Sequence, residues 1–307
     1  MKNIIIAGSI NMDIVAQVNK NPKTGESVFG NKISYIPGGK GANQARAISR
    51  LGRKVKLIAR VGNDQFGKTL IDSLKKDRID TRDIRTSANN NSGVAIITVD
   101  NNAQNRIIII SASNFDLSSQ DINKVDLPKN AIYISQFEIP KDTIEFFFKK
   151  AKKTNSKTVL NPSPIDKIPR SLLKLVDYLV VNEHEFAYLT KVKNPQMESP
   201  ALPKVAQKIA DKNQTVIVTF GLDGSVAIIG PKIIKAPGFK VKATDTTGAG
   251  DSFLGAFSVA LAEGKQIKES LIFANACAAL KVTKLGASST PLRSEVEQFL
   301  RKNNEKI

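Results

Sequence analysis

A carboxylate at the start of an apolar helical pattern has the clearest chemistry in this sequence. Residues 246–251 read Thr-Thr-Gly-Ala-Gly-Asp and lead directly into that pattern. The unpaired backbone N–H groups and the macrodipole at a helix start favour a phosphate. Asp251 would repel the phosphate, but it could take a proton from an attacking hydroxyl. A plain helix cap explains the same residues, because Asp is a favoured N-cap. Both interpretations stay open on this segment alone.

A second polar cluster lies at residues 38–44, Gly-Gly-Lys-Gly-Ala-Asn-Gln. Three glycines around Lys40 permit a close approach of the backbone and unusual torsions. Asn43 projects from the first turn of the helix that follows, and Asn11 and Asp13 come just after the first predicted strand. Amides and carboxylates suit a polyol, whose hydroxyls both donate and accept hydrogen bonds. For the glycines alone, a tight turn before a capped helix is the better explanation.

A third segment, residues 62–69, matches the P-loop pattern G-x-x-x-x-G-K-[ST] and follows a predicted strand. A P-loop wraps phosphates with its own N–H groups. Here Asp64 would repel the phosphates and Phe66 would crowd them. We therefore predict a turn and a helix cap, with Phe66 in the core.

The elements that would position these residues alternate between strands and helices. Buried strands are predicted at residues 4–7, 55–61, 131–135, 158–160, 178–181, 216–219 and 225–229. Helices are predicted at residues 42–51, 66–76, 143–154, 183–189, 202–212, 251–263, 267–280 and 293–302. This alternation predicts an α/β fold, a three-layer sandwich whose central sheet is mostly parallel.

Two stretches, residues 14–36 and 92–110, have strand-like content without a helical pattern. Within the second, residues 94–99 and 106–110 predict a hairpin across residues 100–104. We predict that the two stretches form one small antiparallel β sheet apart from the main sheet. The pattern alone leaves open whether this sheet is a lid over a cleft or an edge extension of the core.

The composition narrows the classes of function. The single Cys excludes an internal disulfide and a Cys-based zinc cluster, and the single His argues against a His-based metal site or a Ser-His-Asp triad. No signal peptide or membrane-length apolar run is evident, so a soluble cytoplasmic protein without a membrane partner is expected. The net charge of +18 comes mostly from Lys spread over the chain, and Trp is absent. We interpret that charge as a solvated surface rather than a specific nucleic-acid site.

Taken together, residues 11–13, 38–44 and 245–251 resemble the ribokinase-like (PfkB-type) carbohydrate kinases, and the resemblance spans about residues 4–299. It implies an α/β core made of residues 1–13, 37–91 and 111–307. It also implies a β lid of residues 14–36 and 92–110 that pairs subunits into a homodimer. The implied reaction is phosphorylation of the 5-hydroxyl of D-ribose by ATP with Mg²⁺, and K⁺ is the implied activator.

The resemblance also implies a role for each matching residue. The catalytic base is Asp251. The anion hole is Gly248, Ala249 and Gly250. The sugar contacts are Asn11, Met12, Asp13, Gly39, Lys40, Gly41, Ala42, Asn43, Glu138 and Asp251. The ATP contacts are Asn182, Thr219, Phe220, Gly221, Leu222, Asp223, Gly224, Gly250, Asp251 and Asn275. Glu185 is associated with Mg²⁺, and the potassium site comprises Asp245, Thr247, Lys281, Lys284, Gly286 and Ser289, several through backbone carbonyls.

Two alternatives follow from the same residues. A related kinase for deoxyribose, another sugar or a nucleoside would share residues 248–251, whereas Asn11, Asp13, Lys40 and Asn43 favour ribose. A non-catalytic nucleic-acid-binding or regulatory protein would not need the intact Asp251. The sequence departs from the family pattern at the cation loop, where Lys281 and Lys284 bring cationic side chains.

Overall fold

A computed structural model describes residues 1–102 and 104–304 of the chain. Its strands are β1 Ile4–Ala7, β2 Asn11–Val18, β3 Gly30–Gly38, β4 Val55–Gly62, β5 Ile84–Ser87, β6 Gly93–Val99, β7 Asn105–Ile110, β8 Ile132–Gln136, β9 Lys157–Asn161, β10 Tyr178–Asn182, β11 Thr215–Thr219, β12 Gly224–Ile229 and β13 Lys232–Pro237. Its helices are α1 Lys40–Arg50, α2 Gln65–Lys76, α3 Ser119–Asn123, α4 Lys141–Lys153, α5 Arg170–Leu173, α6 Glu183–Thr190, α7 Leu202–Ala206, α8 Ala249–Ala262, α9 Ile267–Val282 and α10 Arg293–Lys302.

The main sheet confirms the predicted α/β sandwich. Its order over the described residues is β13-β12-β11-β10-β9-β8-β1-β4-β5, parallel except where β12 pairs with β11 and with β13. Both faces are apolar, as expected when helices cover a parallel sheet on each side. Ile4 and Ile6 of β1 pack into the core with α1, α8, α9 and α10, whereas Ile5 and Ala7 pack into the core with α4 to α7.

Sequence patterns missed some elements and misjudged one. Strands β5 and β13 and helices α3 and α5 are short and lack a strong apolar period. The helix predicted at residues 202–212 ends at Ala206. The backbone N–H groups of Lys208 and Ile209 bond three residues back, to Val205 and Ala206, so the chain tightens into turns and leaves the α-helix.

The other strands form the small sheet, in the order β3-β2-β6-β7. Its β2/β3 and β6/β7 pairings are antiparallel, and β2 and β6 pair in parallel. Strand β2 already begins at Asn11 and β3 continues to Gly38, so the sheet reaches further toward the polar residues than its apolar pattern predicted. The β6/β7 hairpin is confirmed, although Ala103 in its predicted turn lies outside the described residues.

The P-loop-like segment is a helix cap, as predicted. Asp64 is the N-cap of α2, and its Oδ1 accepts hydrogen bonds from the Gly67 N–H and the Ser92 Oγ, both at 2.7 Å. Its Oδ2 accepts the Ser92 N–H at 2.7 Å. Phe66 is partly buried against the core. The carboxylate therefore holds the start of α2 against the chain that enters β6.

Candidate active site

The predicted sugar contacts meet where β1 and β8 end. The carboxylate of Glu138, two residues after β8, accepts hydrogen bonds at Oε2 from the Asn11 Nδ2 at 3.3 Å and the Lys40 N–H at 3.2 Å. The Oγ of Ser9 donates to the same oxygen at 2.5 Å. Ligands of open α/β sheets bind at the carboxyl ends of the strands, and these groups lie at that edge.

The glycine-rich turn brings the start of α1 against the chain that joins β1 to β2. Gly39, the N-cap of α1, has φ 90°, and a Cβ there would lie 2.6 Å from the Asn11 nitrogen. Only glycine allows both the torsion and the contact. The side chains of Met12 and Ala42 are buried in the core, so these two predicted sugar contacts, like Gly39 and Gly41, have only backbone to offer a ligand.

Asp251 lies in the first turn of α8 and is almost fully buried. Its Oδ1 accepts a hydrogen bond from Gln44 Nε2 at 2.9 Å, and its Oδ2 accepts one from Asn43 Nδ2 at 3.4 Å. Burial raises the pKa of Asp251, while the charge of Lys40 and the Gln44 hydrogen bond oppose that rise. A buried carboxylate with a raised pKa is well suited to accept a proton.

Lys40 and Asp13 complete the charged groups around Asp251. Burial lowers the pKa of Lys40, but the carboxylates of Asp251, Glu138 and Glu185 raise it more, so its pKa lies above the usual value. Burial, with the charges of Glu138 and Asp251, raises the pKa of Asp13 to about 7. A cation among several buried carboxylates provides countercharge for a phosphate that enters.

The predicted anion hole lies at the start of α8. Gly248 is its N-cap with φ 77°, and a Cβ there would lie 2.4 Å from the Ala287 carbonyl oxygen. The Asp245 carboxylate holds the approach to this turn, because its Oδ1 accepts the Thr247 N–H at 2.9 Å and its Oδ2 accepts the Gly286 N–H at 2.8 Å. Ala249 and Gly250 follow as the first residues of α8, where backbone N–H groups have no partner within the helix. The Ala249 N–H donates to the carbonyl of Thr246 at 3.2 Å, before the helix begins.

A cavity of about 240 Å³ beside this helix start is largely apolar and suits a nucleotide base. Six of the predicted ATP contacts line it: Thr219, Gly221, Leu222, Gly224, Gly250 and Asn275. Two others do not. The Phe220 side chain is buried in the core, and Asp223 is exposed without lining the cavity. Sequence reasoning missed several apolar residues that line this cavity, among them Phe239, Val241, Ala243 and Val282.

A second cavity, of about 190 Å³, contains Lys40, Asn182, Glu185, Gly248 and Asp251. It shares Thr219, Gly250 and Phe253 with the first cavity, so the two adjoin at the anion hole. Asn182 and Glu185 form a capping box at the start of α6, in which each side chain bonds to the backbone N–H of the other. This cap role coexists with a place on the cavity wall.

The predicted potassium residues also meet, but a side chain lies among them. The Nζ of Lys281 donates to the Asp245 carbonyl at 2.9 Å and to the Lys284 carbonyl at 3.5 Å. The side chain of Lys284 points away from these carbonyls, and its Nζ pairs with Oε1 of Glu295 at 2.6 Å. A potassium ion in contact with the same two carbonyls would overlap the Lys281 ammonium. The residues present therefore do not fit K⁺ at this position, which corrects the expectation from the sequence.

Several polar residues of the site were missing from the predicted set. Gln44 belongs to the glycine-rich motif, so its position was a usable signal. Ser9 and Asn114 gave no signal in the sequence. Asn114 lies 103 residues from Asn11, yet its Nδ2 donates a hydrogen bond to the Oδ1 of Asn11 at 2.7 Å. Arg46 is buried and donates to the Asn43 Oδ1 at 3.4 Å and to the Pro37 carbonyl at 3.2 Å. It thereby joins α1 to the end of β3.

Comparison with known proteins places this geometry among characterised folds. The model of the pfkB family carbohydrate kinases matches residues 1–294. A ribokinase of Haemophilus influenzae is 38% identical over 97% of this chain and 98% of its own length. A ribokinase of Bacillus subtilis is 35% identical over 98% of this chain and 100% of its own length. The structure of Arabidopsis thaliana ribokinase complexed with ribose and ATP superimposes with a TM-score of 0.87 at 33% identity, covering 98% of this chain and 99% of that one.

Proposed function

This chain belongs to the pfkB family of carbohydrate kinases, and on that basis we propose that it uses ATP to phosphorylate the 5-hydroxyl of D-ribose, giving D-ribose 5-phosphate. The observation that carries the proposal is the buried carboxylate of Asp251 at the start of α8. It lines one cavity with Lys40 and adjoins, through Gly250, the apolar cavity suited to a nucleotide base.

The polar groups at the ends of β1 and β8 support a sugar as the acceptor. Asn11, Asp13, Asn43 and Glu138 are all buried, and together they offer amide donors and carboxylate acceptors. A site built to bond hydroxyls discriminates strongly against a substrate that lacks one, because buried polar groups are then left unpaired. Ribose is favoured over deoxyribose for that reason. The ribokinases of Haemophilus influenzae and Bacillus subtilis are 38% and 35% identical to this chain, whereas a deoxyribokinase of Salmonella typhi is 32% identical over 97% of it.

The chemistry follows from the placement of charges. Asp251 accepts the proton of the attacking hydroxyl while the new O–P bond forms and the bond from the γ-phosphorus to ADP breaks. The N–H groups of Gly248, Ala249 and Gly250 and the ammonium of Lys40 stabilise the charge that develops on the phosphoryl oxygens. Closure of the small sheet over the sugar excludes water, which would otherwise compete for the phosphoryl group.

Magnesium fits the residues present. Among the described residues, no three His, Cys, Asp or Glu side chains form a ready-made metal site. Mg²⁺ is commonly held by one or two carboxylates together with substrate phosphates and waters. Glu185, on the wall of the cavity that contains Asp251, is the carboxylate that would take that part. When bound, the ion neutralises charge on the nucleotide phosphates.

The small sheet acts as the lid, with residues 14–36 and 92–110 set apart from a core of residues 1–13, 37–91 and 111–307. It also pairs two copies of the chain into a homodimer. The observation behind this assignment is an exposed apolar surface: Phe29 is 96% exposed, and Tyr35, Ile107, Ile108 and Ile110 are also exposed. Ile107 and Ile108 are successive residues of β7, so apolar side chains are exposed on both faces of this edge strand. Exposed apolar surface of this kind marks an interaction site, and the strands of a second copy would cover it.

The enzyme is assigned to the cytoplasm, where its substrates are small anionic and polar molecules. A cytoplasmic location supplies ATP, and the net charge of +18 attracts anionic substrates without a sequence-specific nucleic-acid site. No helix within residues 1–102 and 104–304 is both long and apolar enough to cross a membrane.

A panel of acceptors tests the proposal, with ATP as donor and ADP formation as the readout. D-Ribose, 2-deoxyribose, fructose and adenosine are compared by kcat/KM. We expect D-ribose to give the highest value. A higher value for another acceptor would replace ribose as the substrate, and no ADP formation with any of them would overturn the sugar kinase assignment.

A further inference from the structure

The ammonium group of Lys281 is enclosed by oxygen atoms at the end of α9. Its side chain is 0% exposed, and its Nζ contacts the carbonyl oxygens of Asp245 and Lys284. The same nitrogen lies 3.9 Å from Oδ2 of Asp245. Lys281 belongs to the last turn of α9, where the negative end of the helix macrodipole favours a cation. The structure therefore places one buried ammonium group against two backbone carbonyls, with a carboxylate oxygen close by.

These acceptors lie beside the predicted anion hole. The Asp245 carboxylate bonds the N–H of Thr247, and the chain then turns through Gly248 into α8. The same carboxylate bonds the Gly286 N–H, and Gly248 lies against the carbonyl of Ala287. A fixed cation at Asp245 thus ties residues 245–248 to residues 284–287 and fixes the turn that carries the predicted anion hole.

From this arrangement we infer that Lys281 is a tethered replacement for a monovalent cation, and that this kinase works without K⁺ activation. An ammonium group carries the charge of K⁺ and bonds the same kind of oxygen, and it is held by the chain rather than drawn from solution. Lys281 is a positioning residue, since it acts on the phosphates through the turn before α8. The inference rests on the proposed function, because the anion hole matters only if a phosphoryl group is transferred there.

The wild-type protein gives the first test. The initial rate is measured against KCl at constant ionic strength, with tetramethylammonium chloride as the balancing salt. We expect no dependence on K⁺. Activation of several-fold by K⁺ would overturn the inference.

Removal of the side chain gives the second test. Lys281→Ala opens a space lined by the carbonyls of Asp245 and Lys284, so we expect a several-fold lower kcat without K⁺ and recovery on addition of K⁺ or NH₄⁺. The KM for the sugar should stay the same, since the sugar contacts lie at β1 and β8. Lys284→Ala is the matched control, because its side chain pairs with Glu295 outside this cluster; its rate should remain independent of K⁺. A Lys281→Ala enzyme that keeps the wild-type rate without K⁺, or loses rate and regains none, contradicts the inference.

Thermal unfolding provides a readout that needs no turnover. K⁺ should raise the Tm of Lys281→Ala relative to tetramethylammonium, and should leave the Tm of the wild type unchanged. A K⁺-dependent Tm in the wild type would contradict the inference even if the sugar assignment were correct. If K⁺ raises the Tm of Lys281→Ala but not that of the wild type, and the wild type phosphorylates no sugar, only the proposed function is overturned. If Lys281→Ala does not fold, Lys281→Gln takes its place. The KCl titration of the wild-type rate tests the inference in either case.

Discussion

Gln44 donates a 2.9 Å hydrogen bond from Nε2 to Oδ1 of Asp251, and this bond joins α1 to α8. The two helices pack closely enough for it because α8 carries Gly255 at the crossing, where an added Cβ would lie 2.5 Å from the Cβ of Ala47. Gln136 donates from Nε2 to Oε1 of Gln44 at 2.5 Å and so holds the amide in the orientation that presents its NH₂ to Asp251. The base is thus oriented from the neighbouring helix.

Replacement of Asp251 by Asn should abolish most turnover while leaving the fold and ribose binding intact. The amide keeps the size of the side chain but cannot accept the proton, so we expect kcat to fall by roughly 10²–10⁴-fold, the usual contribution of a general base. Steady-state kinetics and calorimetric ribose binding check this, with Asp72→Asn on the exposed side of α2 as the control. A nearly normal kcat would disprove the assignment of the base.

Gln44→Met should move the pH dependence of catalysis rather than remove activity. The Gln44 hydrogen bond opposes the rise that burial causes in the pKa of Asp251, so its loss should raise that pKa further. The acid limb of the kcat/KM profile should therefore shift to higher pH. At pH values above that limb, kcat/KM of the variant should approach the wild-type value. An equal loss at every pH would indicate a purely structural role.

Asp13→Asn should stabilise the protein at alkaline pH and weaken sugar binding. The pKa of Asp13 is raised from 3.8 to about 7 in the folded chain, so the folded state prefers the protonated form. The stability that Asp13 contributes is fully present below its unfolded pKa and is lost as the pH rises through about 7. The variant should be more stable than the wild type by about 1–4 kcal/mol near pH 8, and the difference should narrow as the pH falls toward about 4. Denaturant unfolding at several pH values measures it, and a pH-independent difference would show that burial of the Asp13 charge is not the cause.

The P-loop-like segment should tolerate loss of its lysine. Lys68 is exposed on α2, so Lys68→Ala should leave kcat/KM for ATP within a few-fold. Asp64→Ala removes the cap and the Ser92 contacts, and should cost about 1–2 kcal/mol of unfolding free energy. A loss in kcat/KM of about 10²-fold or more for a folded Lys68→Ala protein would restore the P-loop interpretation.

A charge on the exposed edge strand β7 of the small sheet should separate the subunits. Ile108 of β7 is 62% exposed, and Ile108→Lys would place an ammonium group in the proposed dimer interface. Sedimentation velocity should show a dimer for the wild type and a monomer for this variant. Tyr188→Lys, at an exposed apolar position on α6, is the matched control and should remain dimeric. A monomeric wild type would contradict the proposed assembly.

The sequence by itself determined the local features of this protein. Apolar runs and helical periods depend on neighbours in the chain, and they predicted seven strands of the main sheet and the start of α8. The motif at residues 38–44 likewise predicted a turn before α1, because its glycines allow torsions that other residues avoid. Weak or short patterns did not suffice for β5 and β13, which pair at the edges of the sheet.

Only the tertiary structure decided which side chains meet. Gln44 reaches Asp251 across 207 positions of sequence, and Ser9 reaches Glu138 across 129. The Nζ of Lys281 reaches the carbonyl of Asp245 across 36, in a loop that the sequence predicted to bind potassium. Such contacts depend on how whole helices and strands pack, and on which rotamer fills the space between them. No pattern of neighbouring residues contains that information.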